Sequence, residues 1–99
     1  MISELLATGK ENARTGRQLA VILQCDIREI TQQIEKERRQ GQPICAGSGE
    51  TPGYYLAADA DELQHYCERL NRRAGEMQKT RRALVKVLEQ IRQQQAAQI

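Results

Sequence analysis

Residues 15–41, TGRQLAVILQCDIREITQQIEKERRQG, decide the fold of this chain. They predict two helices with marked starts, because Thr15 is followed by Gln18 and Asp26 by Glu29, which is the spacing of a capping box. Apolar residues recur at helical intervals on both helices and give each one a face to bury: Leu19, Ala20, Leu23, Ile27, Ile30 and Ile34. Two short helices in this relation are the skeleton of a helix-turn-helix, whose second helix can enter a DNA major groove.

A hairpin is predicted directly after this stretch. The run Ile44–Ala46 and the run Tyr54–Ala57 flank residues 47–53, which are rich in Gly and include Pro52. Two short apolar runs around such a loop predict a β-hairpin. A hairpin at this place corresponds to the wing of a winged helix.

Residues 15–56 resemble the winged-helix domain of the biotin-operon repressor type, which is found in many phage and bacterial regulators. The resemblance is carried by Leu19-Ala20, Ile30, Ile34, Gly41-x-Pro43-Ile44 and Gly53-Tyr54-x-Leu56. It implies a winged helix-turn-helix fold and a role as a DNA-binding transcription regulator. The biotin-ligase portion of the namesake repressor has no counterpart in these residues.

Three positions depart from the family pattern. Gln24 stands where the turn usually has a glycine, which implies either a conformational cost or a different turn. Glu37 stands where the family has a buried leucine, which predicts a frayed or exposed end of the second helix. Ile27 follows the second cap where the family often has Arg or Lys, and the hairpin from Ala46 to Tyr54 has only Glu50 as a charged residue.

A long helix is predicted after the hairpin. Asp59 and Glu62 mark its start, and the helical pattern continues to about Gln95. A short first helix is predicted at residues 2–7, with Gly9 nearby as a C-cap signal. We therefore predict a mostly α protein with a small β-hairpin (α+β), in which residues 1–58 form the winged helix-turn-helix and residues 59–99 the long C-terminal helix.

Apolar residues of the long helix alternate in steps of four and three, the pattern of a heptad seam. The candidate dimerisation residues on this seam are Leu63, Leu70, Met77, Leu84, Leu88 and Ile91. Two alternatives remain open, a helical hairpin that breaks at Gly75 and a helix that packs back on its own domain. Arg81 also falls on the seam, and in a parallel dimer it would face its own copy, so we expect an antiparallel or bundled homodimer.

Charge is unevenly distributed along the chain. Residues 1–62 contain 7 Lys and Arg against 10 Asp and Glu, a net charge of −3, whereas residues 63–99 contain 8 against 3, a net charge of +5. The acidic balance argues against strong electrostatic binding of DNA through residues 1–62 alone. The candidate DNA-binding residues are Arg14, Arg17, Gln18, Arg28, Thr31, Gln32 and Lys36. Among them, Arg28 suits guanine, Gln32 suits adenine, Thr31 suits a thymine methyl or a phosphate, and Arg17 suits the phosphate backbone.

Other classes of function find little support in the sequence. One histidine, His65, and no phosphate-binding glycine loop argue against an enzyme, and no cofactor or small-molecule ligand is indicated. Cys25, Cys45 and Cys67 are too few and too far apart for a metal site or a disulfide framework, and we expect them to be reduced and mostly buried. No apolar run is long enough to span a membrane, so a cytoplasmic protein is expected. The competing hypothesis is a winged-helix module that binds another protein and has lost DNA binding.

Overall fold

The structure is a computed structural model that describes residues 1–49 and 52–97. Within these ranges the elements are 3₁₀ turns at Ile2–Leu5 and Lys10–Asn12, helices α1 (Gly16–Leu23) and α2 (Ile27–Arg39), strands β1 (Ile44–Gly47) and β2 (Gly53–Leu56), and helix α3 (Ala60–Ala97). The predicted class is confirmed: the protein is mostly α, with a two-stranded antiparallel hairpin and a long C-terminal helix.

Local capping explains where α1 and α2 begin. Thr15 Oγ1 accepts a hydrogen bond from the Gln18 backbone N–H (3.1 Å), and Gln18 Oε1 accepts one from the Thr15 N–H (2.9 Å), which completes a capping box. At the start of α2, Asp26 Oδ1 accepts from the Glu29 N–H at 2.8 Å. Both predicted helix starts are therefore confirmed.

The turn between the helices is made without glycine. Gln24 adopts a left-handed conformation, with φ 52° and ψ 47°, and its N–H closes the end of α1 on the Ala20 and Val21 carbonyls. A residue with a Cβ is disfavoured in this region of φ and ψ. Gln24 thus keeps the turn geometry that a glycine would adopt more easily.

The hairpin is anchored on both sides of β2. On one side β1 pairs with it, with Ile44 opposite Leu56 and Gly47 opposite Gly53. On the other side Arg14 and Tyr54 exchange two backbone hydrogen bonds, of 2.9 and 2.7 Å. Gly53 has φ 120°, and a Cβ added there would lie 2.7 Å from the Arg14 carbonyl, so the close approach of these two segments requires glycine.

The first core cluster joins the N-terminal turn to both helices and to β1. Its buried members are Ile2, Leu6, Leu19, Ile30, Ile34 and Ile44. A second cluster consists of Cys45, Tyr55 and Tyr66, with Leu63 partly buried against it. Because Leu63 and Tyr66 belong to α3, the beginning of that helix takes part in the core of the first unit.

The chain divides into two compact units, Met1–Tyr66 and a second that begins at Cys67. Helix α3 starts where the sequence predicted, since Asp59 Oδ1 accepts from the Glu62 N–H (2.9 Å) and Glu62 Oε1 from the Ala58 N–H (3.0 Å). It is helical through Gly75, so the alternative of a break there is wrong. None of the described helices combines the length and the apolar character needed to cross a bilayer.

Several sequence expectations are corrected at the level of single residues. The helix predicted at residues 2–7 is a 3₁₀ turn at Ile2–Leu5, and Gly9, with φ 95°, precedes the second turn instead of capping a helix. Leu23 and Ile27, expected on the buried faces, are 43% and 49% exposed. Both flank the turn between α1 and α2, Leu23 as the last residue of α1 and Ile27 as the first of α2.

The cysteines were expected to be mostly buried, and this is only partly right. Cys45 is buried, Cys25 is partly buried and Cys67 is exposed. Burial raises the pKa of the Cys25 thiol, and the Glu29 and Asp26 carboxylates raise it further. No group of three or more potential metal-ligating side chains occurs among the residues that the structure describes.

Candidate nucleic-acid interface

The outer face of α2 presents polar side chains to solvent. Arg28, Thr31, Gln32 and Lys36 are all exposed. Three of them share a shallow surface with further residues of the same helix, and we call the combined set the α2 outer face: Arg28, Thr31, Gln32, Glu35, Lys36, Arg39 and Gln40. This face carries guanidinium, ammonium and amide groups, which are donors that can read base edges in a major groove.

The inner face of the same helix is fixed by burial. Ile30 and Ile34 are each 1% exposed, and Glu37 is 0% exposed. These three residues follow each other at helical spacing, so they hold one side of α2 against the first unit and leave the opposite side free. A helix that is packed on one side and polar and exposed on the other is the arrangement that a recognition helix requires.

Glu37 is a buried carboxylate with a full set of hydrogen-bond donors. Its Oε2 accepts from the Ile2 N–H and from Gln33 Nε2, and its Oε1 accepts from the Ser3 N–H, each at 2.8 Å. Burial by itself raises the pKa of this carboxyl, but the hydrogen bonds from Ser3, Gln33 and Ile2 outweigh it and hold the pKa below its usual range. The expected fraying is therefore wrong: α2 continues past Glu37 to Arg39.

Arg38 is a second structural residue that sequence reasoning missed. Its Nε donates to the Ile44 carbonyl (2.8 Å), its Nη2 donates to the Tyr66 hydroxyl (2.8 Å), and its Nη1 pairs with Glu35 Oε1 (2.7 Å). The guanidinium also lies over the Tyr66 ring, 5.1 Å from its centroid. Helical spacing was the signal that could have separated Arg38 from Arg39, because Arg38 lies four residues after Ile34 on the same side of α2 and Arg39 does not. The structure shows that Arg38 is partly withdrawn from solvent while Arg39 is exposed.

The other predicted DNA-binding residues lie at the start of α1. Arg14, Arg17 and Gln18 are exposed and line one surface together with Val21 and Ile22. The backbone pairing with Tyr54 holds Arg14 beside the hairpin, and the cap at Thr15 uses the side-chain oxygen of Gln18. The structure thus places the candidate DNA-binding residues on two surfaces, one on α1 and one on α2.

A third surface shares Arg17 with the α1 surface, and its described residues are largely uncharged. It is lined by Thr15, Gly16, Arg17, Ile27, Ala46, Gly47, Pro52, Gly53 and Tyr54. A Cβ added at Gly16 would lie 3.7 Å from Ile27 Cγ2 and 3.8 Å from Tyr54 Cε2, so the starts of α1 and α2 meet the hairpin closely here. Among the described residues that line this surface, Arg17 is the one cation, which fits a contact to a phosphate. Glu50, the charged residue predicted in the hairpin loop, lies outside the described residues.

Thr31 has part of its hydrogen-bonding capacity in use within α2. Its hydroxyl donates to the Ile27 carbonyl at 3.1 Å. The remaining acceptor capacity and the methyl group are available to a ligand, which fits contact with a thymine methyl better than donation to a phosphate.

Comparison with known proteins gave no match: no family model, no curated protein and no solved structure is significantly similar to this chain.

Proposed function

We propose that this protein binds double-stranded DNA in a sequence-specific manner as a small winged-helix transcription regulator, and that α2 is its recognition helix. The observation that carries the proposal is the division of α2 into a buried side, with Ile30, Ile34 and Glu37, and a free polar side. Helix, turn, helix and hairpin follow one another in the order of the winged-helix resemblance.

The proposal assigns separate tasks to the polar residues. Arg28 and Gln32 contact base edges, since Arg pairs well with guanine and Gln with adenine. Lys36 and Arg39 extend the same face towards the C-terminal end of α2, and Arg17 contacts the phosphate backbone at the start of α1. Arg38 contributes no contact, because its guanidinium is bound within the fold.

The test is a selection from a random duplex library, followed by fluorescence anisotropy of the enriched sequence over a range of salt concentrations. A recovered motif whose affinity falls steeply with salt supports DNA readout. Arg28→Ala and Gln32→Ala are each expected to cost about 1–3 kcal/mol of binding and to relax specificity at one position. Lys10→Ala, which removes an exposed cation outside the proposed contacts, is the matched control and should leave specificity unchanged.

A second candidate function is binding to another protein without binding DNA. Two observations favour it, the net charge of −3 over residues 1–62 and the exposed apolar side chains around the turn, with Val21 79%, Ile22 47%, Leu23 43% and Ile27 49% exposed. Exposed apolar residues in one area are a common feature of protein interfaces. No enrichment in the selection, together with no binding at low salt, would favour this function over the first.

A further inference from the structure

Helix α3 carries a row of exposed apolar side chains, all of which belong to the second unit. We call it the α3 stripe: Leu70 (42% exposed), Met77 (72%), Leu84 (63%), Val87 (47%), Leu88 (43%) and Ile91 (46%). Met77, Arg81, Leu84, Val85 and Leu88 line one continuous surface. Apolar side chains in such a row are covered by a partner in most soluble proteins.

We propose that the α3 stripe pairs with α3 of a second copy of this chain, in an antiparallel coiled coil of defined register. Cys67 then lies opposite Ile91 of the partner subunit, Leu70 opposite the partner's Leu88, Ala74 opposite the partner's Leu84, and Met77 opposite the partner's Arg81. Each pair occurs twice because the two copies are related by a two-fold axis. The contact runs from residue 67 to residue 91, about 36 Å at 1.5 Å per residue.

The position of Arg81 disfavours the parallel arrangement. In a parallel in-register pair each seam residue faces its own copy, so the two Arg81 guanidinium groups would meet inside the contact, where like charges strongly oppose association. In the antiparallel pair Arg81 meets Met77, a flexible apolar side chain. The aliphatic part of Arg81 can lie along it while the guanidinium reaches solvent.

The register follows from the sizes of the paired side chains. The seam consists of two rows, one with residues 67, 74, 81 and 88 and the other with residues 70, 77, 84 and 91. In an antiparallel pair, each residue of one row faces a residue of the other row in the partner subunit. In the proposed register small Ala74 meets large Leu84, and small Cys67 meets large Ile91, which keeps the filling of the layers even. A shift by one heptad in one direction would place Leu70 opposite the polar Gln95. A shift in the other direction would require Leu63, which is already partly buried in the first unit.

The flanking positions fit the same register. Arg73 lies beside the partner's Val87, and Thr80 and Gln78 each lie beside their own copies, so no two like charges face each other along the edges of the contact. These edges also contain no pair of opposite charges. Residues 63–99 have a net charge of +5 in each copy, so the pairing brings two basic segments together. Salt should therefore strengthen the dimer by screening this repulsion, whereas salt would weaken the docking of an acidic partner.

Disulfide trapping of the full chain tests the orientation and the register, since Cys67 is exposed and lies on the seam. In a mild redox buffer Ile91→Cys should give a covalent dimer through the native Cys67, and adding Cys67→Ser should abolish it. Because Ile91→Cys also shortens a seam residue, a second pair tests a neighbouring layer: Ala74→Cys together with Leu84→Cys, in the Cys67→Ser background. Formation of either covalent dimer supports the register.

The parallel arrangement has its own reporters. The unmodified chain, through Cys67, and the Cys67→Ser variant carrying only Ala74→Cys should both remain uncross-linked, because a seam residue meets its own copy only in a parallel pair. Cross-linking of either one overturns the antiparallel orientation. Failure of both designed pairs in a chain that is dimeric overturns the register.

Oligomeric state completes the test. Sedimentation at micromolar concentration should show a dimer that becomes tighter as salt rises, and a monomer or a dimer weakened by salt overturns the proposal. Leu84→Lys should weaken the dimer by more than about tenfold, because it places a charge in the contact. Gln93→Lys adds the same charge on the opposite side of the helix and should leave dimerisation nearly unchanged. All these measurements are made without DNA, so they are independent of the outcome for DNA binding.

Discussion

The carboxylate of Glu37 accepts the backbone N–H of Ser3 at 2.8 Å, across 34 residues of sequence. The same carboxylate also accepts the N–H of Ile2. These two donors belong to the 3₁₀ turn at Ile2–Leu5, where the first N–H groups have no partner within the turn. Glu37 therefore caps an element that is distant in sequence and ties the N-terminal segment to α2.

Replacing Glu37 with leucine, the residue expected from the family pattern, should destabilise the protein. Glu37→Leu keeps an apolar side chain of similar size but leaves the Ile2 and Ser3 N–H groups buried without an acceptor, at a cost of about 2–4 kcal/mol. Glu37→Gln keeps a carbonyl oxygen and should lose less. The free energy of unfolding, measured in urea by circular dichroism, should decrease in the order wild type, Glu37→Gln, Glu37→Leu. A Glu37→Leu variant as stable as wild type would show that the carboxylate is not needed.

Stability should fall at acidic pH through the same carboxyl. The pKa of Glu37 is lower in the folded protein than in the unfolded chain, so the unfolded state binds the proton more readily. The stabilisation is fully present above the ordinary glutamate pKa, and it is lost as pH falls towards and below the lowered value. The free energy of unfolding measured from neutral to acidic pH should decline less steeply for Glu37→Gln than for wild type. Parallel curves for the two proteins would contradict the assignment.

Glycine at position 24 should stabilise the turn between α1 and α2. Gln24 has φ 52°, a conformation that costs a residue with a Cβ about 1–2 kcal/mol. Gln24→Gly removes this cost but adds freedom to the unfolded chain, so a net gain of about 0.5–1 kcal/mol is expected. Gln24→Ala retains the Cβ and serves as the control, with no comparable gain. Thermal unfolding that ranks the alanine variant equal to the glycine variant would refute this explanation.

Two adjacent arginines should separate stability from DNA binding. The Arg38 side chain is only 19% exposed, and Arg38→Ala removes its hydrogen bonds to Ile44 and Tyr66. The substitution should therefore lower the free energy of unfolding by about 2–4 kcal/mol. Its ion pair with Glu35 adds little, because that carboxylate is half exposed. Arg39→Ala removes an exposed guanidinium and should leave the unfolding free energy within about 0.5 kcal/mol of wild type.

The DNA affinity of the same two variants completes this prediction. Arg39 is part of the α2 outer face, so Arg39→Ala should weaken binding to the selected duplex. Arg38→Ala should retain most of its affinity at temperatures where it remains folded. The reverse pattern, with Arg38 needed for affinity and Arg39 dispensable, would place the DNA on a different surface.

The sequence by itself determined the starts of α1, α2 and α3 and the hairpin, whereas the structure decided that α3 continues through Gly75. Capping at Thr15, Asp26 and Asp59 involves partners three or four residues away, and the hairpin depends on a nearby Gly and Pro loop, so these features are fixed by local chemistry. Only the tertiary structure decided the roles of Glu37 and Arg38, whose decisive partners Ile2 and Tyr66 lie 35 and 28 residues away. It also decided that Leu23 and Ile27 are exposed. Helical periodicity shows which residues share a face, but the neighbouring elements determine how much of that face is covered.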